Sequence, residues 1–185
     1  MTTRSAWVLL IAGLVGWIAA VALTVERFKL FVNPDYRPSC SLNPILSCGS
    51  VMETDQAALF GFPNPLIGVV GFSVVVTLGV LTVAGVDFPR WIWGGLWLGT
   101  VLGEAFLLWL LFQSLYRINA LCPYCMVVWA ITPILLAVVT NQLWRGAQAP
   151  LRIIAEWRWT VVVAYYAIVL VLVFLRFQDY WLSLV

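Results

Sequence analysis

The stretch Cys122-Pro123-Tyr124-Cys125-Met126-Val127-Val128-Trp129-Ala130 begins with a redox-type CxxC and continues without a charged residue to Leu143. A membrane crossing needs about 20 apolar residues, because backbone amides in hydrocarbon must bond within their own helix. This run is long enough and does not alternate, so it reads as a spanning helix with a dithiol at its mouth. Four further runs of the same kind occur at residues 6–25, 65–86, 91–115 and 160–174. Composition agrees: 63% of residues are hydrophobic, 10% are charged, and the mean hydropathy is +1.00. No water-facing surface can be built from so few charges, so the expected class is an all-α integral membrane protein.

The first run also carries the marks of a secretory signal, with Arg4 ahead of it and Ala20-Val21-Ala22 near its end. It exceeds the ~7 to 15 apolar residues of a signal core, and it is read as a retained span. Connections between spans are short except for residues 26–64, which favours antiparallel packing of neighbours. That long loop holds the other two cysteines, Cys40 and Cys48, four prolines (Pro34, Pro38, Pro44, Pro63) and the acids Glu26, Asp35, Glu53 and Asp55. Its apolar residues, Ile45, Leu46, Val51, Met52 and Leu59 among them, predict that it folds back as a lid over the span mouths. A short helix is expected near residues 55–60.

Counting crossings puts both cysteine pairs on one side and the N-terminus on the other. The charge rule does not orient the chain: Arg4, Arg90, Arg145, Arg152 and Arg158 face one side, and Arg27, Lys29, Arg37, Arg117 and Arg176 the other. Paired thiols belong in an oxidising space, so the cysteines are expected on the periplasmic or exterior face and the N-terminus in the cytoplasm.

Cys122 reads as the N-cap of its helix, Pro123 as the first helical residue and Cys125 as part of the first turn. Free amides and the dipole at that end favour a thiolate, the form that attacks disulfides. Cys122 lies at the loop edge, within reach of another thiol, while Cys125 points toward the bundle. Redox cycling is the leading reading. Static disulfides and an all-cysteine zinc site remain alternatives, although the seven residues between Cys40 and Cys48 exceed the usual zinc spacing and the chain has no histidine.

The segment Asp35-Tyr36-Arg37-Pro38-Ser39-Cys40, the spacing to Cys48 in Leu46-Ser47-Cys48, Asn64, and a CxxC at the start of the fourth span together resemble the vitamin K epoxide reductase family over residues 1–143. The resemblance implies a four-helix transmembrane bundle around a quinone, with a fifth peripheral transmembrane helix and the cysteine-bearing loop capping the periplasmic face. It divides the chain into a catalytic bundle, 1–143, and a cytoplasmic linker with the fifth helix, 144–185. It implies a quinone-dependent thiol oxidoreductase of a bacterial inner membrane, with menaquinone or ubiquinone as acceptor and no metal. The partner would be a separate DsbA-type thioredoxin-fold protein, with the bilayer as surroundings and no nucleic acid.

By the same resemblance, Cys40 is attacked by the reduced partner, Cys48 is released and attacks Cys122, and Cys125 delivers the electron pair to quinone. A donor of that type lies near about −120 mV, and ~30 mV corresponds to ~1.4 kcal/mol for two electrons, so the acceptor must lie close to or above that potential. Three residues stand at the family's quinone-binding positions: Asn64, whose other role would be a turn or cap; Trp129, which can only donate; and Thr54, whose other role would be an N-cap. A vitamin K epoxide or quinone reductase of a eukaryotic ER membrane and a non-enzymatic scaffold with structural disulfides are the alternatives.

Glu104 lies ~16 Å below the Leu115 end of its span at 1.5 Å per residue. It is either a functional group or a neutral carboxyl bonded to a neighbouring helix. Gly94, Gly95, Gly99 and Gly103 on the same span predict close helix packing.

Overall fold

A computed structural model describes residues 1–43 and 45–182; Pro44 and residues 183–185 lie outside the described residues. Its elements are α1 (Thr3–Val32), α2 (Cys48–Met52), a 3-10 turn (Asp55–Ala58), α3 (Pro65–Val83), α4 (Arg90–Gln113) with a π-helical turn (Ser114–Ile118), α5 (Pro123–Trp144), α6 (Leu151–Glu156), α7 (Arg158–Arg176) and α8 (Gln178–Leu182). Five helices are long and apolar enough to cross a membrane: α1, α3, α4 with its π turn, α5 and α7. The chain is an all-α, multi-pass membrane protein. Large side chains such as Ile18, Val70, Leu102, Val163 and Leu170 face outward, as a lipid-solvated surface allows.

α1 packs against α3 and α5, and α5 packs against α4 and α7. The close α1–α3 contact follows from small residues. A Cβ on Gly16 would overlap the Phe72 ring, one on Gly79 would lie 2.9 Å from the Leu10 backbone, and one on Gly13 would lie 2.9 Å from Val75. The core built there includes Leu9, Ala12, Ala20, Phe72, Val75, Trp93, Leu96, Leu135 and Val139.

The glycines of α4 behave differently, which corrects the expectation drawn from them. No atom of a neighbour lies within 4 Å of a Cβ placed on Gly94, Gly95, Gly99 or Gly103. Gly95, Gly99 and Gly103 instead line a cavity that separates α4 from α3, with Gly68 and Gly71 on the opposite wall. Short connection or not, α3 and α4 diverge, and the ring of helices stays open along that seam.

The first span outlasts its sequence estimate by a full turn and more, ending at Val32. Glu26 explains the extension. Its carboxylate is buried and accepts hydrogen bonds from the Tyr36 hydroxyl (3.0 Å), the Ser39 amide (3.1 Å) and the Ser39 hydroxyl (3.2 Å). It latches the returning loop onto the helix end.

α5 contains Pro133, which supplies no N–H to the preceding turn. Nearby carbonyls are taken up by side chains: Thr132 donates to Val128 O at 2.9 Å, and the Tyr166 hydroxyl of α7 donates to Ala130 O. Such substitution of partners is what lets a proline sit inside a membrane helix.

Candidate redox site

The loop between α1 and α3 forms a compact lid. The Asn43 side-chain oxygen accepts from the amides of Ile45 (3.0 Å) and Leu46 (2.7 Å), closing a turn. Ser47 then caps α2, its hydroxyl accepting from the Ser50 amide at 3.3 Å, so Cys48 is the first residue of that helix. The expected short helix at residues 55–60 is a 3-10 turn at Asp55–Ala58, and α2, which carries Cys48, was not foreseen.

A second attachment places the lid over the CxxC. Leu46 and Leu121 form a parallel bridge, with the Leu121 amide donating to Ile45 O at 2.7 Å and the Ser47 amide donating to Leu121 O at 2.9 Å. The next residue of each strand is a cysteine. The sulfurs of Cys48 and Cys122 therefore approach to 3.2 Å.

Cys40 and Cys48 form a disulfide with their Cα atoms 5.6 Å apart, while Cys122 and Cys125 are free thiols. Cys122 is the N-cap of α5, Pro123 is its first residue, and Cys125 lies in the first turn. Cys122 and Cys48 are fully buried, and Cys40 is 6% exposed. The expectation that Cys122 sits at an accessible loop edge therefore holds only for Cys48 of the same chain. With two of the four sulfurs bonded to each other, four thiolates are not on hand for a zinc ion. The hydrogen bond donated by the Cys125 thiol, helped by the Cys125 and Tyr124 amides, holds Cys122 below the ordinary thiol range against the opposing effect of burial.

Cys122 and Cys125 border an apolar cavity of about 890 Å³ between α3 and α4. Asn64, Trp129 and Thr54 line the same cavity. Each has a distinct local role. Asn64 donates to Gln56 O at 2.7 Å and accepts from the Leu59 amide at 3.1 Å, so it fastens the turn ahead of α3, with one amide hydrogen left over. Thr54 stands at the start of the 3-10 turn but makes no side-chain cap; its hydroxyl donates to Val51 O at 2.8 Å and offers only lone pairs elsewhere. Trp129 is 4% exposed, and its indole N–H is buried without a partner among the described residues. An unpaired donor in such a place costs about 1–3 kcal/mol unless an acceptor meets it.

Arg27 is the one charged side chain among the cavity-lining residues, and its buried Nε also lacks a partner. Sequence reading passed over it; its position one turn from Leu23, on the stripe of α1 that packs against the cysteines, was the available signal. Glu104 does not line the cavity. Both its carboxyl oxygens are buried without a hydrogen-bond partner among the described residues, and the group facing it is Tyr165 of α7.

A quinone would be consistent with these residues. A flat ring with two carbonyls requires donors at one end of an apolar space, and Trp129 Nε1 and the spare Asn64 amide hydrogen are such donors beside Cys125. No curated protein sequence matches the chain significantly. The model of the vitamin K epoxide reductase family matches residues 7–140, from the first span through most of the fourth. With all four cysteines inside that match and most of the chain covered, the protein belongs to the vitamin K epoxide reductase family, a family of membrane oxidoreductases.

Proposed function

We propose that the protein is a quinone-dependent thiol oxidase that reoxidises a separate, DsbA-like thioredoxin-fold protein at the outer face of a bacterial inner membrane. The N-terminus lies in the cytoplasm, residues 1–143 form the catalytic bundle and 144–185 the linker and fifth helix. The observation that carries this reading is the 3.2 Å approach of Cys48 to Cys122, one turn of helix from a cysteine that borders an apolar cavity.

The partner's thiolate attacks Cys40, the Cys40–Cys48 bond breaks, and Cys48 leaves as a thiolate. Cys48 attacks Cys122 of an oxidised CxxC, forming a Cys48–Cys122 disulfide and releasing Cys125. The partner's second thiol displaces Cys40, and Cys40 attacks Cys48, restoring the outer disulfide and freeing Cys122. The partner is then oxidised and the CxxC reduced, the same pairing as in the structure. Cys125 borders the cavity and hands on the electron pair as the CxxC disulfide closes. A quinone supplies the two-electron, two-proton acceptor; Trp129 and Asn64 would hold its ring oxygens, with Thr54 nearby. Burial of Cys48 and Cys122 keeps external thiols from short-circuiting the inner pair.

The test is hydroquinone formation by purified protein supplied with a quinone and a reduced thioredoxin-fold partner. Cys125→Ala is expected to lower it by at least about a thousandfold, the scale on which a covalent relay fails when one member is removed. Cys40→Ser should abolish the mixed disulfide with the partner yet retain part of the quinone reduction driven by dithiothreitol. Full turnover in Cys125→Ala overturns the assignment.

A further inference from the structure

α7 lies beyond the family match at residues 7–140, yet it ends on the turn that delivers the CxxC. The π-helical turn Ser114–Ile118 closes α4 and leaves terminal carbonyls without helical partners. Arg176, the last residue of α7, fills that need: its Nε donates to Leu115 O at 2.8 Å, and its terminal guanidinium nitrogen donates to the Asn119 side-chain oxygen. Asn119 is the one non-glycine residue with a positive φ, 57°, and it reverses the chain toward Leu121 and Cys122.

The contacts run in series. Arg176 fixes residues 115–119; Leu121, two positions on, bridges to Leu46; and that bridge sets Cys48 against Cys122. α7 is held elsewhere without Arg176, by the Tyr166 hydroxyl on Ala130 O and by Phe177, which is buried with Leu111, Leu115, Leu121 and Trp129. We propose that Arg176 is a positioning residue for the cysteine relay, a brace from the fifth helix that holds Cys122 within attacking distance of Cys48. A planar fork with fixed donors suits a carbonyl and an amide oxygen that must be kept in one relative geometry.

The inference rests on the relay proposed above, and the experiment separates the two. In full-length Cys125→Ala protein, Cys122 can attack the outer disulfide, giving Cys48–Cys122 and a free Cys40 with no change in total oxidation. The ratio of the two disulfides is read by mass spectrometry after acid quenching. Adding Arg176→Gln is expected to lower the Cys48–Cys122 to Cys40–Cys48 ratio about tenfold, since about 1 Å of misplacement has effects of that order or larger. Arg176→Lys, with a point charge in place of the fork, should restore only part.

A role confined to stability would lower the unfolding temperature and leave the ratio unmoved; an unchanged ratio in Arg176→Gln overturns the brace. Should that variant not fold, Asn119→Gly keeps the positive φ, removes one acceptor, and carries the same expectation. If the parent Cys125→Ala protein forms no Cys48–Cys122 bond, the relay itself is wrong and the brace falls with it.

Discussion

The sulfurs of Cys48 and Cys122 stand 3.2 Å apart although 74 positions separate the residues in the chain. The contact is held from the backbone. The Leu46–Leu121 bridge fixes the residues ahead of each cysteine, and helix starts at α2 and α5 fix the cysteines themselves. Buried side chains in a generic apolar core would not require such a paired arrangement of caps. Glu26 adds a third restraint by tying Tyr36 and Ser39 to α1, just ahead of Cys40.

The electrostatics of the reduced CxxC can be tested in the absence of quinone. Cys122 is held below the ordinary thiol range, chiefly by the Cys125 thiol hydrogen bond, so its thiolate forms at a lower pH than that of a free cysteine. In a variant lacking Cys40 and Cys48, Cys125→Ala removes the donor and should move the thiolate midpoint upward by about one pH unit, the worth of a hydrogen bond to a charged group. Cys125→Ser retains a donor and should move it less. Thiolate absorbance in the far ultraviolet reads the titration, and equal midpoints in the parent and Cys125→Ala would remove the hydrogen bond as the cause.

Two sets of glycines give opposite expectations. Gly16→Ala pushes a methyl into the Phe72 ring and should destabilise the protein by about 1–3 kcal/mol, seen as a lower unfolding temperature in detergent. Gly99→Leu meets open space, so stability should hold within about 0.5 kcal/mol while the side chain enters the cavity. Its effect should appear as a higher KM for quinone. A marked loss of stability in Gly99→Leu would return α4 to close packing.

These glycines also show where the sequence is legible. Five spans can be read because an apolar run in lipid has one stable backbone solution, and the runs are long. A row of small residues has two solutions. It allows a neighbouring helix to approach, as at Gly13 and Gly79, or it widens a space, as at Gly95 and Gly103, and only the placement of α3 decides. The cysteines were legible by spacing. Their order of burial was not, because it depends on the lid: α2 is a five-residue helix set by the Ser47 cap and by docking on Leu121, neither of which has a periodic signature. Asn64 could be picked out, but whether its amide is committed to Gln56 and Leu59 is a property of the folded turn.

Trp129 separates packing from hydrogen bonding. Its indole N–H has no partner among the described residues, so Trp129→Phe removes no internal bond and should change the unfolding temperature little. If the N–H meets a ring oxygen, the variant loses about 1 kcal/mol of binding, a rise of about fivefold in quinone KM. Asn64→Ala should behave otherwise. It breaks two hydrogen bonds of the turn and should lower stability as well as affinity. Steady-state kinetics together with thermal unfolding of the two variants distinguish the roles, and an unchanged KM in Trp129→Phe removes Trp129 from the quinone site.

Glu104 is the acid inside a span, and its neighbourhood argues for tolerance of change. It does not line the cavity, and both oxygens are buried and unpartnered opposite Tyr165, whose hydroxyl is likewise unpartnered. Removing a buried group that has no hydrogen-bond partner relieves a cost instead of breaking a bond. Glu104→Leu should therefore leave stability unchanged or raise it by about 1–2 kcal/mol, with quinone reduction within about twofold of the parent. Glu104→Lys places an unpaired cation against α7 and should be strongly destabilising. Thermal unfolding and dithiothreitol-driven quinone reduction check both variants; a tenfold loss of activity in a stable Glu104→Leu protein would make this carboxyl a participant in proton movement, acting from outside the cavity wall.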